Sequence, residues 1–250
     1  MRMRLRCCLW WLGCWLSLGV LAQPVRVQLA LSEWPPYEYS VHDVAHGLDV
    51  ELARTAVVAM GLEPAFAFYP WKRVLSMAQR QEVDAILSVR PTPERSQYLH
   101  FPKEHLSVSD NVLFVRKGDD SPELGSLQAL AGRTVGVTAG YSYGEAFDTM
   151  LRNGAFLADE SLTEEQGLRK LVAGRYAVLV CDRIAGWHLA QNLGVADQLS
   201  VLPLRVSSVK NYLAFTKNAR GRQRAAQFDA AVAALKKSGQ WQRIQDAYAR

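Results

Sequence analysis

The chain has 250 residues, a formal net charge of +5, 49% apolar and 21% charged residues, and no low-complexity run. That length allows one large domain or two lobes with cores of their own, and the composition excludes a disordered chain, a collagen and a disulfide-dense miniprotein. The basic excess does not point to nucleic acid, because three arginines lie in the first six residues and the 26 basic and 24 acidic residues beyond position 22 leave only +2.

Arg2, Arg4 and Arg6 precede an apolar stretch over 7–21 and a small residue at Ala22, the pattern of a cleavable secretory signal peptide over 1–22. The stretch is shorter than the roughly 20 residues needed to span a bilayer. Trp11-Leu12-Gly13-Cys14 loosely resembles a lipobox, with a short apolar segment before its cysteine. Cys7, Cys8 and Cys14 leave with this segment, so the mature chain keeps Cys181 alone. An exported, periplasmic protein without an internal disulfide is expected.

Past residue 23 the apolar periodicity alternates between strand and helix spacing. Val25, Val27, Leu29 and Leu31 alternate with Arg26, Gln28 and Ala30, which predicts a strand. Asp49 stands as N-cap of a helix carrying Leu52, Ala53, Ala56, Val57 and Met60 on one face and ending at Gly61. A strand over 66–69, a helix over 71–80 and a strand over 83–88 complete a doubly wound α/β pattern. A connecting strand over 112–115 opens a second copy. It continues with a strand over 135–137, a helix over 143–151, a Thr163-x-x-Gln166 capping box starting a helix to Val172, a strand over 176–180 and a helix over 182–193. A strand over 212–215 and helices over 223–236 and 241–249 end the chain.

The expected fold is therefore α/β, with two doubly wound lobes joined by a two-strand hinge near 107–109 and 207–211. Residues 23–107 plus 208–250 form lobe 1, 108–207 form lobe 2, and a ligand cleft lies between them. Open α/β sheets bind ligands beyond the carboxyl ends of their strands, so the candidates follow the strands. Trp34, held by Pro35 and Pro36, reads as a stacking wall or as a rim aromatic packed on its own loop. Ser88, Arg90 and Arg95 follow the strand over 83–88. Arg95 can hold a carboxylate bidentately or stand solvated beside Glu94. Gly140-Tyr141-Ser142-Tyr143-Gly144 permits a tight turn before a helix N-terminus, without the Lys-Ser/Thr of a P-loop. Asp182 can accept from an ammonium group across the cleft or cap the helix that follows.

No Gly-x-Ser-x-Gly, His-Glu-x-x-His or Cys-x-x-Cys occurs. His42 and His46 have i, i+4 spacing, but with Asp43 between them they read as solvated loop residues rather than metal ligands. No catalytic residue, cofactor or metal is expected.

The motifs Trp34-Pro-Pro-Tyr37, Gly47-Leu-Asp-Val-Glu-Leu-Ala53, Asp84-Ala-Ile-Leu-Ser88, Thr92-Pro-Glu-Arg95 with Phe101, Gly136-Val-Thr-Ala-Gly140, and Gly174-Arg175 with Asp182 occur in one order. Together they resemble the extracytoplasmic solute-binding proteins of family 3, the polar amino acid-binding proteins of ABC importers. The likeness covers essentially the whole mature chain. It implies that Trp34 stacks on the ligand, Arg95 binds the ligand α-carboxylate, Ser142 adds a hydroxyl and N–H to it, and Asp182 takes the α-ammonium. It also implies a monomer that serves a membrane permease. Trp71, in Tyr69-Pro-Trp-Lys-Arg73, and Tyr141 are expected at the cleft. Arg90 stands where members holding neutral or basic amino acids have a small residue. Facing inward, it would ask for a second anionic group on the ligand. Two rivals share the scaffold. One is an enzyme, since cyclohexadienyl dehydratase resembles the family, drawing on Glu33, Glu145 or Asp182; the other is a sensor whose closed form engages a membrane receptor.

Overall fold

Val27, Leu29 and Leu31 are buried on one face of the first strand and Ala30 on the other, because this strand lies inside a sheet covered on both sides. The structure, a computed structural model, describes residues 25–118 and 124–248. The signal-peptide expectation, with Cys7, Cys8 and Cys14, lies outside the described residues.

In chain order the first part consists of β1 (Arg26–Leu31), β2 (Tyr39–Val41), β3 (Val44–His46), α1 (Leu48–Ala59), β4 (Glu63–Phe68), α2 (Trp71–Gln79), β5 (Ala85–Val89) and β6 (Leu99–His100). The second part consists of β7 (Ser107–Arg116), β8 (Thr134–Thr138), α3 (Glu145–Arg152), β9 (Leu157–Ser161), α4 (Glu164–Val172), β10 (Val178–Asp182) and α5 (Arg183–Asn192). The long β11 (Leu199–Thr216) then leads to α6 (Ala219–Lys237) and α7 (Gln240–Tyr248). The strand order is β4-β1-β5-β11-β7-β10-β8-β9. In the first lobe β1, β4 and β5 run parallel; in the second, β10, β8 and β9 do.

Each lobe buries two apolar layers. Leu29, Leu52, Phe215 and Phe228 pack under α1, α6 and α7, while Val74 and Ile86 pack under α2 on the other face. Val135, Phe147 and Val180 pack with α3, and Phe114, Leu168 and Leu179 pack under α4 and α5. β7 and β11 cross between the lobes side by side: Ser107 pairs with Asn211, Ser109 with Val209 and Asn111 with Ser207.

Several elements depart from the sequence expectation. Gly47, not Asp49, is the N-cap of α1; Asp49 lies inside the first turn with its carboxyl turned into the protein. The strand over 212–215 is only the end of the 18-residue β11, whose earlier part is half-exposed, carries Pro203 and turns mostly polar over 207–211, and so lacks an apolar alternation. The hairpin of β2 and β3, with His42 and Asp43 at positive φ in its turn, and the edge strand β9 carry too little buried apolar surface to show in the pattern.

Candidate functional site

The loops after β1, β5 and β8 and the start of α2 converge where the lobes meet. They line a half-open cavity whose empty space, open solvent included, is about 330 Å³. Trp34, Trp71, Ser88, Arg90, Arg95, Tyr141 and Ser142, each singled out from the sequence, line it together with Ser32 and Glu38. Asp182, also singled out, is not among the lining residues.

Trp34 and Tyr37 stack with ring centroids 4.2 Å apart, so the first loop presents its aromatics as a pair. Both reach across to lobe 2: Trp34 Nε1 donates to Glu164 Oε2 at 2.9 Å, and Tyr37 OH donates to Asp182 Oδ1 at 3.2 Å. Trp34 is thus a cavity wall and also a tie between lobes. Trp71 makes a second tie, donating from Nε1 to the Gly140 carbonyl at 3.0 Å. Its indole also lies beneath the Arg95 guanidinium, whose carbon is 5.5 Å from the ring centroid.

Arg95 begins a 3-10 turn after the Pro91 and Pro93 segment and is buried. Its Nη1 donates to the Arg90 carbonyl at 2.9 Å and its Nη2 to the Gly140 carbonyl at 2.8 Å. Nε and one hydrogen on each Nη remain, and among the described residues no carboxylate forms an ion pair with it. Burial pulls its pKa below the ordinary arginine value, a cost that an anion beside it would offset.

Arg90 turns inward and is buried. It donates from Nε to Asn211 Oδ1 at 3.3 Å, from Nη2 to Ser109 Oγ at 3.0 Å, and from Nη1 to Asn111 Oδ1 at 3.4 Å and to the Ser142 carbonyl. The Ser142 hydroxyl donates to Asp148 Oδ2 at 2.5 Å, so that hydrogen is already engaged. Tyr141 stands edge-on to Trp71 at 6.1 Å and closes the apolar side.

Carboxyl groups gather behind this wall. Glu38 Oε1 accepts from the Ser32 amide at 3.2 Å, and Oε2 accepts from Ser88 Oγ at 2.9 Å. Asp49 Oδ2 lies 2.8 Å from the same Ser88 Oγ and 3.0 Å from Ser107 Oγ. Ser88 sits at φ 49°, a backbone conformation that aims its hydroxyl between the two acids. The one Ser88 hydroxyl hydrogen serves only one of the two acids at a time, while Asp49 also has the Ser107 hydroxyl. Burial is the main cause that pushes Glu38 up to about 8 and Asp49 up to about 7. In lobe 2 burial pushes Glu164 up to about 7, and raises Asp182 as well.

Asp182 caps α5, its Oδ1 accepting from the Ile184 and Ala185 amides at 3.0 and 2.9 Å, while its buried Oδ2 has no partner. Glu33 and Glu145, the other acids open to an enzyme reading, are exposed; Glu33 accepts from the Ser40 amide and Glu145 pairs with Arg152. Among the described residues no group of three or more His, Cys, Asp or Glu could hold a metal ion, and no helix is long and apolar enough to cross a membrane. Sequence reasoning missed Glu38 and Glu164. Glu38 directly follows Tyr37 in a loop already aimed at the cleft, which is a usable signal; Glu164 looks like any acid in a first helical turn.

The family model for bacterial extracellular solute-binding proteins, family 3, matches residues 27–250. The arginine-binding extracellular protein ArtP of Bacillus subtilis (strain 168) is 32% identical over 110 residues, a match spanning 44% of this chain and 42% of ArtP. The putative amino-acid ABC transporter-binding protein PatH of Vibrio harveyi is 22% identical over 92% of this chain and 90% of its own length. Among solved structures, a histidine kinase sensor domain with similarity to periplasmic binding proteins shares the fold. Its TM-score is 0.79 at 22% identity, over 90% of this chain and 96% of that one.

Proposed function

The chain belongs to the bacterial extracellular solute-binding proteins, family 3, and we propose that it captures a free amino acid in the periplasm and delivers it to an ABC-importer permease. Export relies on the signal peptide of residues 1–22. The observation that carries the amino-acid reading is a cation and an acid on one cavity: Arg95, buried with three N–H groups to spare, and Glu38, which an ammonium group beside it would help to ionise, line the same interlobe space.

Arg95 receives the ligand α-carboxylate, its planar fork matching the two oxygens. Trp71 and Tyr141 exclude water from that pair, and the Ser142 amide adds a donor from lobe 2. The ammonium group meets Glu38 on the cavity wall. Because the two ends of the ligand engage groups from both lobes, binding favours the closed arrangement. Arginine is a leading candidate, given the name of the Bacillus relative. The reading is of a binding protein with no reaction of its own, in keeping with the family and with its binding-protein relatives.

Calorimetric titration of the purified mature protein with L-arginine, L-glutamine, L-histidine and L-glutamate tests this. At least one should bind, and a ligand at about 100 times its Kd should add about 2.7 kcal/mol of stability. Arg95→Ala should weaken that binding by about 2–5 kcal/mol, the loss seen when one partner of a buried charge pair is removed. Binding unchanged in Arg95→Ala would exclude the carboxylate clamp.

A further inference from the structure

Arg90 lines the cavity, but its bonding does not suit a ligand clamp. Four of its five N–H groups are engaged, and every acceptor is neutral: Asn211, Asn111, Ser109 and the Ser142 carbonyl. These acceptors belong to three different parts of the molecule. Ser109 and Asn111 lie on β7 and Asn211 on β11, the two strands that cross between lobes, while Ser142 lies on the lobe 2 turn. Arg90 itself follows β5 in lobe 1.

The network extends outward from these contacts. Asn211 Nδ2 donates to Ser107 Oγ at 3.0 Å and Ser109 Oγ at 3.3 Å, which ties the two crossing strands side chain to side chain. Asn111 Nδ2 donates to Ser207 Oγ at 2.8 Å, and Ser207 Oγ donates to the Tyr143 carbonyl at 2.6 Å, which ties the strands to the lobe 2 turn. The guanidinium lies 5.9 Å from the Trp34 ring centroid, and its charge lowers the energy of the Glu164 and Asp182 carboxylates of lobe 2. The bond to the Ser142 carbonyl joins lobe 1 to lobe 2 and can exist only when the two are closed on each other. The bonds to Ser109 and Asn211 hold the guanidinium at the hinge.

We propose that Arg90 is a positioning residue that sets the angle between the lobes, populating the closed arrangement before a ligand arrives, rather than a second clamp for ligand anions. Arg95, five residues on, keeps donors for a ligand where Arg90 has spent them. The proposal takes its purpose from the two-lobe binding reading but makes no use of the ligand's identity. In population terms, a protein that already visits its closed form gives up less of the ligand's binding energy to closure.

The test needs no ligand, so its outcome is separate from that of the amino-acid titrations. Spin labels on Val44→Cys in lobe 1 and Leu162→Cys in lobe 2, both exposed positions, report the interlobe distance by pulsed electron resonance; Cys181 is fully buried. The ligand-free protein should show a short-distance population. Arg90→Met should make a longer-distance population the major one, and Arg90→Lys, which keeps the charge but not the fork, should fall between. Ser109→Ala and Asn211→Ala remove acceptors while leaving Arg90 in place, and should shift the distribution the same way even if Arg90→Met folds poorly. A distribution the same in Arg90→Lys, Ser109→Ala and Asn211→Ala as in the parent protein would overturn the proposal. So would a parent protein found only at the long distance.

Discussion

Replacing Gly47 by alanine would set a Cβ 2.3 Å from the Tyr37 carbonyl oxygen and 2.8 Å from the Glu38 amide, at a backbone φ of +118°. The Tyr37 carbonyl already accepts from the Asp49 amide at 2.9 Å, so the loop that carries Trp34, Tyr37 and Glu38 is laid directly on the start of α1. Neither backbone can yield without moving the cavity wall. Gly47→Ala should therefore cost about 2–4 kcal/mol from strain and close contact together, read as a lower urea midpoint, and should weaken ligand binding as well. Trp34→Phe acts more narrowly. It keeps the stack on Tyr37 but leaves the buried Glu164 without its indole donor, a loss of about 1–3 kcal/mol. Loss of the same size in a Trp34→Phe, Glu164→Leu double variant would show that a stranded Glu164 carboxyl is not its cause.

At the scale of elements, α4 shows how a local signal positions a distant contact. Thr163 caps the helix by accepting from the Gln166 amide at 3.2 Å, while Gln166 reaches back to the Leu162 amide at 3.1 Å. The capped first turn holds Glu164 towards Trp34 of the other lobe. Thr163→Ala should cost about 1 kcal/mol in stability and should also change the tryptophan emission of the ligand-free protein, because Glu164 loses its anchor. A stability loss with unaltered emission would mean that Glu164 holds its place without the cap. Helix α5 works by the same logic, with Asp182 as both cap and carboxyl reserve.

For the whole molecule, the gathered carboxyls make stability depend on pH. Glu38, Asp49 and Glu164 are raised from 4.5, 3.8 and 4.5 to about 8, about 7 and about 7. The folded protein therefore holds protons that the unfolded chain releases, and stability falls as pH rises between the two sets of values. This contribution is complete below the unfolded values and is withdrawn as pH passes through about 7 to 8. His100 and His105, both pushed down by burial, work in the opposite direction only below the ordinary histidine value of 6.5. Between about pH 6.5 and 8.5 the acids act alone, and the melting temperature should fall across that window. Glu38→Gln should flatten the fall; a slope identical to the parent's would mean that Glu38 does not hold the proton.

The sequence by itself determined the layers and the place of the site. Strand and helix periods showed the α/β order, because a covered strand or helix must repeat its apolar residues at its own pitch. Residues following β1, β5 and β8 could be named as cleft residues, since an α/β sheet presents the turns at one end of its strands. Six of the eight named positions line the cavity for that reason, and Trp71, at the start of α2, lines it as well. Tertiary structure alone decided what those residues do there. Arg90 could face the cleft or point outward, and it turns inward onto Asn211, 121 positions away. Asp182 could meet an ammonium or cap a helix, and it caps α5 while accepting from Tyr37, 145 positions away. Asp49 read as a helix cap and Glu38 was not singled out; they form a buried pair around Ser88 only because three segments pack together. Period and position survive in a linear chain because they are local. Burial, and the partner that each buried polar group must find, are set by chain segments that meet only in the folded protein.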